Sequence, residues 1–349
     1  MPQRTVLCAF HTASLTCLVS VSLLARADHA ASDGSEAAPE GEIGREVFCV
    51  STAALMWPGA TRSFLIGGDG SLDNGEWLTH LGVFADGAPA DSPRVVAYEP
   101  DALPVAHWRR RNGDVEWTCE AVALPSPQDS GLIASVEIKA TNHGQRVHEA
   151  ALVVSFESPR KPVQFVAADA PESSSTAYVW AGERSTRLAR GWFDGRGSEG
   201  RASVSWKLAP GQTRRARVVV PGYPSEPQVL RQWVRVPHSR RVTEAKKYWA
   251  KMLDSGVRLS LGDPEVETAF RGALVILLGC TERHSGRLIP LGNPFQYRDV
   301  WLRDGARSVA ALAMAGQVQT ARDLVSGFLA YQCVDGHVKP RDSGPRISA

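Results

Sequence analysis

The hydrophobic pattern of this chain changes period once, near Pro221, and that change limits what it can fold into. Before it, apolar and polar residues alternate. Residues 132–140 put Ala134, Val136 and Ile138 on one side and Ser135, Glu137 and Lys139 on the other, as in a strand with one buried face. After it, apolar residues recur at three- and four-residue spacing, as on one face of a helix. Such a chain forms a β-rich part and then a helical part, not a parallel sheet in which strands and helices take turns.

Within residues 48–221, Gly, Pro, Asn and Asp divide the sequence into short strands, expected at 64–66, 77–84, 95–98, 107–110 and 115–124. Residues 132–140 turn at Thr141-Asn142-His143-Gly144 and return over 147–156. Residues 202–208 turn at Ala209-Pro210-Gly211-Gln212 and return to Val220, so both pairs are predicted to be hairpins. The expectation for this region is an antiparallel β-sandwich. Gly67-Gly68-Asp69-Gly70 has neither the lysine nor the following helix of a phosphate loop.

The remainder is expected to be helical. Residues 228–236 and 242–253, rich in Arg, Lys, Glu and Trp, fall in a linker spanning 222–255 that leads away from the sandwich. Asp263-Pro264-Glu265 has the signature of a helix start, with an N-cap acceptor, a proline at the first helical position and an acid at the positive end of the dipole. That helix is predicted to reach about Thr281. A second is predicted from near Asp304 to Gly316, and a third over 317–331. Short connections make them antiparallel neighbours.

Residues 1–27 have the pattern of an export signal, with Arg4, an apolar stretch over 13–24 and Ala25-Arg26-Ala27 as the cleavage site; residues 28–47 are expected to be a disordered spacer. The mature protein is therefore expected outside the cytoplasm, and no later segment has the ~18 consecutive apolar residues of a membrane span. Removal of the signal leaves Cys49, Cys119, Cys280 and Cys333. Three pairings are open, with Cys49–Cys119 favoured and a buried free thiol an alternative for Cys280. No Cys-x-x-Cys and no His-x-x-x-His occurs, so no metal or other cofactor is predicted. With 39 Lys and Arg against 37 Asp and Glu, the net charge of +2 gives no electrostatic reason to bind nucleic acid or an anionic membrane.

The most chemically loaded segment is Tyr297-Arg298-Asp299-Val300-Trp301-Leu302-Arg303-Asp304. An Arg-Asp pair offers a planar donor fork and an acceptor that can share one polyol, and an indole face covers the apolar side of a pyranose. Tyr297, Trp301, Arg303 and Asp304 are the candidate substrate-binding residues. Arg298, Asp299, Asn293, Gln296, His337 and Lys339 are weaker candidates, for which solvation or packing is the simpler account.

A β-sandwich, a helical linker, and a helix entering a Trp301-Leu302-Arg303-Asp304 loop together resemble the six-hairpin glycosidases, in particular the glucoamylase-like members. The resemblance implies a β-sandwich followed by an all-α (α/α)6-barrel-type domain over 256–349. It also implies that the Trp-x-Arg-Asp loop grips the terminal glucosyl unit of an α-glucoside, an oligo- or polysaccharide. Family members take their catalytic acid and base from loops later in the barrel. Glu282 and Asp335 match neither position, so no catalytic residue is assigned. About ninety residues follow Ser255, whereas twelve helices of ~11 residues with ~4-residue loops need on the order of 180. The expectation is an incomplete barrel and a chain inactive alone, with apolar faces at Leu274, Leu277 and Phe328 left exposed for self-association. The alternative is a non-catalytic carbohydrate-binding or structural β-sandwich protein.

Overall fold

The computed structural model describes residues 51–91, 96–99, 101–158, 163–171, 173–181, 187–198, 200–293, 295, 300–332 and 341–342. Two eight-stranded antiparallel sheets dominate them. The first runs in the order Ser51–Leu55, Phe64–Gly67, Leu72–Asp73, Leu78–Ala85, His148–Glu157, Arg201–Leu208 and Arg196–Ser198, with Ala88–Pro89 beside Leu78–Ala85. The second runs Phe165–Ala170, Ser173–Ala181, Ala189–Phe193, Thr213–Pro221, Leu132–Asn142, Val115–Pro125, Ala106–Asn112 and Val96–Tyr98. Their inner faces meet: Trp117 of the second sheet lies 6.3 Å from Trp206 of the first, and Phe165 lies 5.9 Å from Phe156. Alternation along Val115–Pro125 places Val115, Trp117, Cys119 and Ala121 in this core.

Both predicted hairpins are absent. Leu132–Asn142 pairs with Val115–Pro125 and Thr213–Pro221, while His148–Glu157 pairs with Leu78–Ala85 and Arg201–Leu208. The turns at 143–147 and 209–212 are arches that carry the chain from one sheet to the other. Alternation reports which face is buried, and strands on opposite sides of one core bury the same kind of face, so the pattern alone does not choose the partner. Asn142 stitches the two arches together. It is fully buried, its Nδ2 donates to the carbonyls of Arg146 (2.7 Å) and Leu208 (2.9 Å), and its Oδ1 accepts from Gly144 N (2.8 Å). Asn142→Ala leaves these buried groups without partners and is expected to cost about 2–3 kcal/mol, read as a lower midpoint in urea.

Five α-helices follow among the described residues: α1 Pro227–Arg235, α2 His238–Asp254, α3 Pro264–Gly279, α4 Leu302–Met314 and α5 Val318–Phe328. The helices α1 and α2 do not lead away from the sandwich. Arg217 of the second sheet donates to the carbonyls of Val234 and Val236, holding the C-terminal end of α1. Along α2, His238, Val242, Ala245, Trp249 and Leu253 are buried at helical spacing against that sheet. Trp57, just past the first strand, stacks on Tyr248 at 3.9 Å and meets Trp249 edge-on at 6.1 Å. The hydrophobic core therefore continues without a break from the sandwich into α3, α4 and α5.

The all-α barrel-type domain expected over 256–349 is not what the chain forms. Strand accounts for 44% of the structure and helix for 27%, and the C-terminal part interleaves its helices with β structure. The helix α3 starts where expected, with Asp263 Oδ1 accepting from Glu265 N and Val266 N, but it stops at Gly279. Thr281–His284 and Arg287–Pro290 then form a hairpin, turning at Ser285 (φ 47°) and Gly286 (φ 80°). A two-residue turn with both φ positive suits a hairpin with native twist, and Ser-Gly between two four-residue runs was its local signal. A second short pair joins Val300–Trp301 to Arg341–Asp342. Leu274 is buried, and Leu277 and Phe328 are partly buried in packed clusters, so the predicted exposed faces lie elsewhere, at Met314, Val318, Val325 and Leu329.

Cys119 is a free, buried thiol in place of the expected bridge to Cys49, which lies outside the described residues, as do Cys333 and the export signal. Burial pushes the thiols of both Cys119 and Cys280 up to about 12, so neither is a reactive thiolate at neutral pH. Among the described residues no helix is long and apolar enough to cross a membrane.

Candidate functional site

The hairpin positions the candidate site. Its first strand is fixed to the sandwich through Gly59, whose N–H donates to the carbonyl and hydroxyl of Thr281 and whose carbonyl accepts from Arg283 N at 3.0 Å. Its second strand, Arg287–Pro290, supports α4 and α5. At Gly305, in the first turns of α4, an added Cβ would lie 2.8 Å from Phe328 Cζ and 2.9 Å from Pro290 Cγ. At Gly327 of α5, a Cβ would run into the carbonyl oxygen of Leu288. Ile289, Leu291 and Val300 form a small buried cluster beneath, closed by Phe328 and Tyr331.

On this platform the Trp301-x-Arg303-Asp304 segment sits at a strand-to-helix junction. Trp301 ends its short strand, paired with Arg341, and is half-buried. Arg303 and Asp304 occupy the first turn of α4, where an acid is favoured by the exposed backbone N–H groups. Their side chains face each other, Arg303 Nε to Asp304 Oδ1 at 3.2 Å, and remain 74% and 39% exposed. A pair this open contributes little to stability and keeps donor and acceptor capacity for a ligand.

The other sequence-based candidates divide. Tyr297, Arg298, Asp299, Gln296, Asp335, His337 and Lys339 lie outside the described residues. Asn293 accepts from Phe295 N at 2.7 Å, so part of its amide shapes the local turn. Glu282 is buried in the hairpin with its Oε1 2.8 Å from His284 Nε2. The hairpin itself has no counterpart in the sequence-based expectation, which ends one helix at about Thr281, starts the next near Asp304 and assigns no strand between them.

No protein-family model matches this sequence, and no curated protein matches it either. Among solved structures, a bacterial glucoamylase complexed with acarbose superposes at a TM-score of 0.56, with 12% identity, over 87% of this chain and 53% of that one. A family GH92 alpha-mannosidase from Bacteroides thetaiotaomicron gives a TM-score of 0.41 at 10% identity, over 70% of this chain and 41% of that one, too loose a match to argue from. The chain thus shares a coarse fold with that glucoamylase, and spans about half of its length.

Proposed function

We propose that this chain is an exported glycoside hydrolase-like protein of carbohydrate metabolism, and that Trp301, Arg303 and Asp304, with Tyr297, hold the terminal glucosyl unit of an α-glucoside. One observation carries the reading. The open Arg303–Asp304 pair stands at the head of α4, next to Trp301, in a chain whose fold follows a glucoamylase over 87% of its length. A guanidinium fork beside a carboxylate matches adjacent sugar hydroxyls, which both donate and accept, and the neighbouring indole suits the apolar face of the ring.

The chain by itself binds without turnover in this reading. Glycoside hydrolysis needs one carboxylic acid to protonate the leaving oxygen and a second carboxylate to assist attack. In the family that the sequence resembles, both groups come from loops later in the barrel, and neither Glu282 nor Asp335 matches a family acid position. Hydrolysis of maltose or an aryl α-glucoside is accordingly expected to be absent.

Electrophoresis of the native chain through gels cast with soluble starch tests the proposal. The wild type is expected to be retarded relative to a gel without polysaccharide, and Arg303→Ala, a change at an exposed side chain, to run faster. Equal mobility of the wild type in both gels would refute the proposal. Retardation that persists in Arg303→Ala would move recognition elsewhere, as in a carbohydrate-binding sandwich.

A further inference from the structure

A second group of side chains gathers where α2 crosses the second sheet, far from Trp301 in the sequence. In that sheet His107 is the cross-strand partner of Glu120, and Glu99 follows directly after the strand Val96–Tyr98 that flanks them. His107 Nε2 lies 2.7 Å from Glu99 Oε1, and His107 Nδ1 lies 3.8 Å from Glu120 Oε2. One ligand atom from each of Glu99, His107 and Glu120 can be chosen so that all lie within 4.8 Å of one another. Donors around a tetrahedral zinc ion at ~2.0–2.1 Å stand about 3.3 Å apart, so modest side-chain rotation closes this set on one ion.

His238, in the first turn of α2, stands outside that set but beside its member Glu120, from where a side-chain rotation would bring in a fourth donor. His238 is 2% exposed at its side chain, and its Nδ1 is held by Ser135 Oγ at 3.0 Å. Its Nε2 lies 3.2 Å from Glu120 Oε1, within ion-pair distance but off the angle of a well-formed hydrogen bond, and this contact holds the Glu120 carboxyl below its ordinary pKa. Without a metal the Ser135 hydroxyl donates to Nδ1 and Nε2–H faces the Glu120 carboxylate; a bound cation would require the other tautomer, with Nδ1–H donating to the serine and the Nε2 lone pair turned to the ion. A cation between them accepts from both, and the Ser135 contact is the outer bond that orients a metal-binding imidazole.

We propose that Glu99, His107, Glu120 and His238 form a zinc-type divalent cation site that clamps α2 to the sheet. Two carboxylates and two neutral imidazoles balance the charge of a divalent ion, and mixed nitrogen and oxygen donors suit zinc. Four protein ligands leave no open position, which makes the site structural and not catalytic. Lys246, with Nζ 2.8 Å from Glu99 Oε1, is the competing cation. None of the short His or Cys spacings that signal such sites is present, because the ligands come from two strands, the residue just after a third, and a helix.

Titrating the untagged, chelator-treated full chain with zinc chloride, by calorimetry and thermal unfolding, tests the site. One equivalent is expected to bind and to raise Tm. The cobalt form is expected to show the strong visible absorption of a four-coordinate centre. His107→Ala, at a partly exposed position, and Glu99→Gln are each expected to weaken binding by at least ~10–100-fold. Lys246→Ala is expected to tighten it several-fold, which an ion-pair network without a metal would not produce. No zinc binding by the wild type, or the same affinity in His107→Ala and Glu99→Gln, would overturn the proposal.

Discussion

Trp249→Ala is expected to lower the stability of the chain by ~3–5 kcal/mol, the range for removing a large buried aromatic side chain. Trp249 is 1% exposed and sits against both Trp57 and Tyr248, where the first sheet, α2 and the loop leading to Gly59 converge. Its loss opens a cavity that none of the three elements can close alone, because each is fixed elsewhere: α2 by Val242 and Leu253, Trp57 by its stack on Tyr248, and Gly59 by its bonds to Thr281 and Arg283. Trp249→Phe keeps part of the ring contact and should lose less than half as much. Chemical denaturation with an unchanged m-value checks the size of the effect. A loss below about 1 kcal/mol would mean that α2 is not packed into the core as described.

Gly327→Ala is expected to cost about 3 kcal/mol, an unusual penalty for adding a single methyl group. The new Cβ would overlap the carbonyl oxygen of Leu288 and come within 3.2 Å of Ile289 Cγ2. The Leu288 carbonyl belongs to the hairpin backbone and has no rotamer to yield, so α5 must move off the strand. That strand also supports the head of α4 through Pro290 and Gly305, so the same substitution should weaken sugar binding although it lies outside the proposed contact set. A variant as stable as wild type with full sugar affinity would separate the hairpin from the site.

The parts of the fold that were legible in the sequence were those set by local chemistry. Asp263-Pro264 marked the start of α3 because capping and proline geometry act within one turn. Alternation over 132–140 separated Ala134, Val136 and Ile138 from Glu137 and Lys139, but Ser135 on the second face is buried as well, against His238 of α2. It could not say that the returning strand joins the opposite sheet, since that choice depends on arches and on the buried amide of Asn142. Trp301, Arg303 and Asp304 stand out in the sequence by their chemistry, and they fall together at one strand-to-helix junction. The platform below them was not, because only the single short turn signal Ser285-Gly286 marks the stretch between the expected helices, and the family resemblance implied an all-α segment there. The grouping of His107, Glu120 and His238 was beyond reach for a different reason. It depends on strand register and on the docking of α2, and neither leaves a trace in the spacing.

The most direct test of the sugar-site account is calorimetric titration of the chain with maltotriose, comparing the wild type with Arg303→Ala and Asp304→Asn. Each lost charge-assisted hydrogen bond is worth ~1.5–3 kcal/mol, so each variant should bind roughly 10–100-fold more weakly at unchanged Tm. Wild-type binding that survives both substitutions within a factor of about two, or no binding by the wild type, would contradict a glucosyl site at the head of α4.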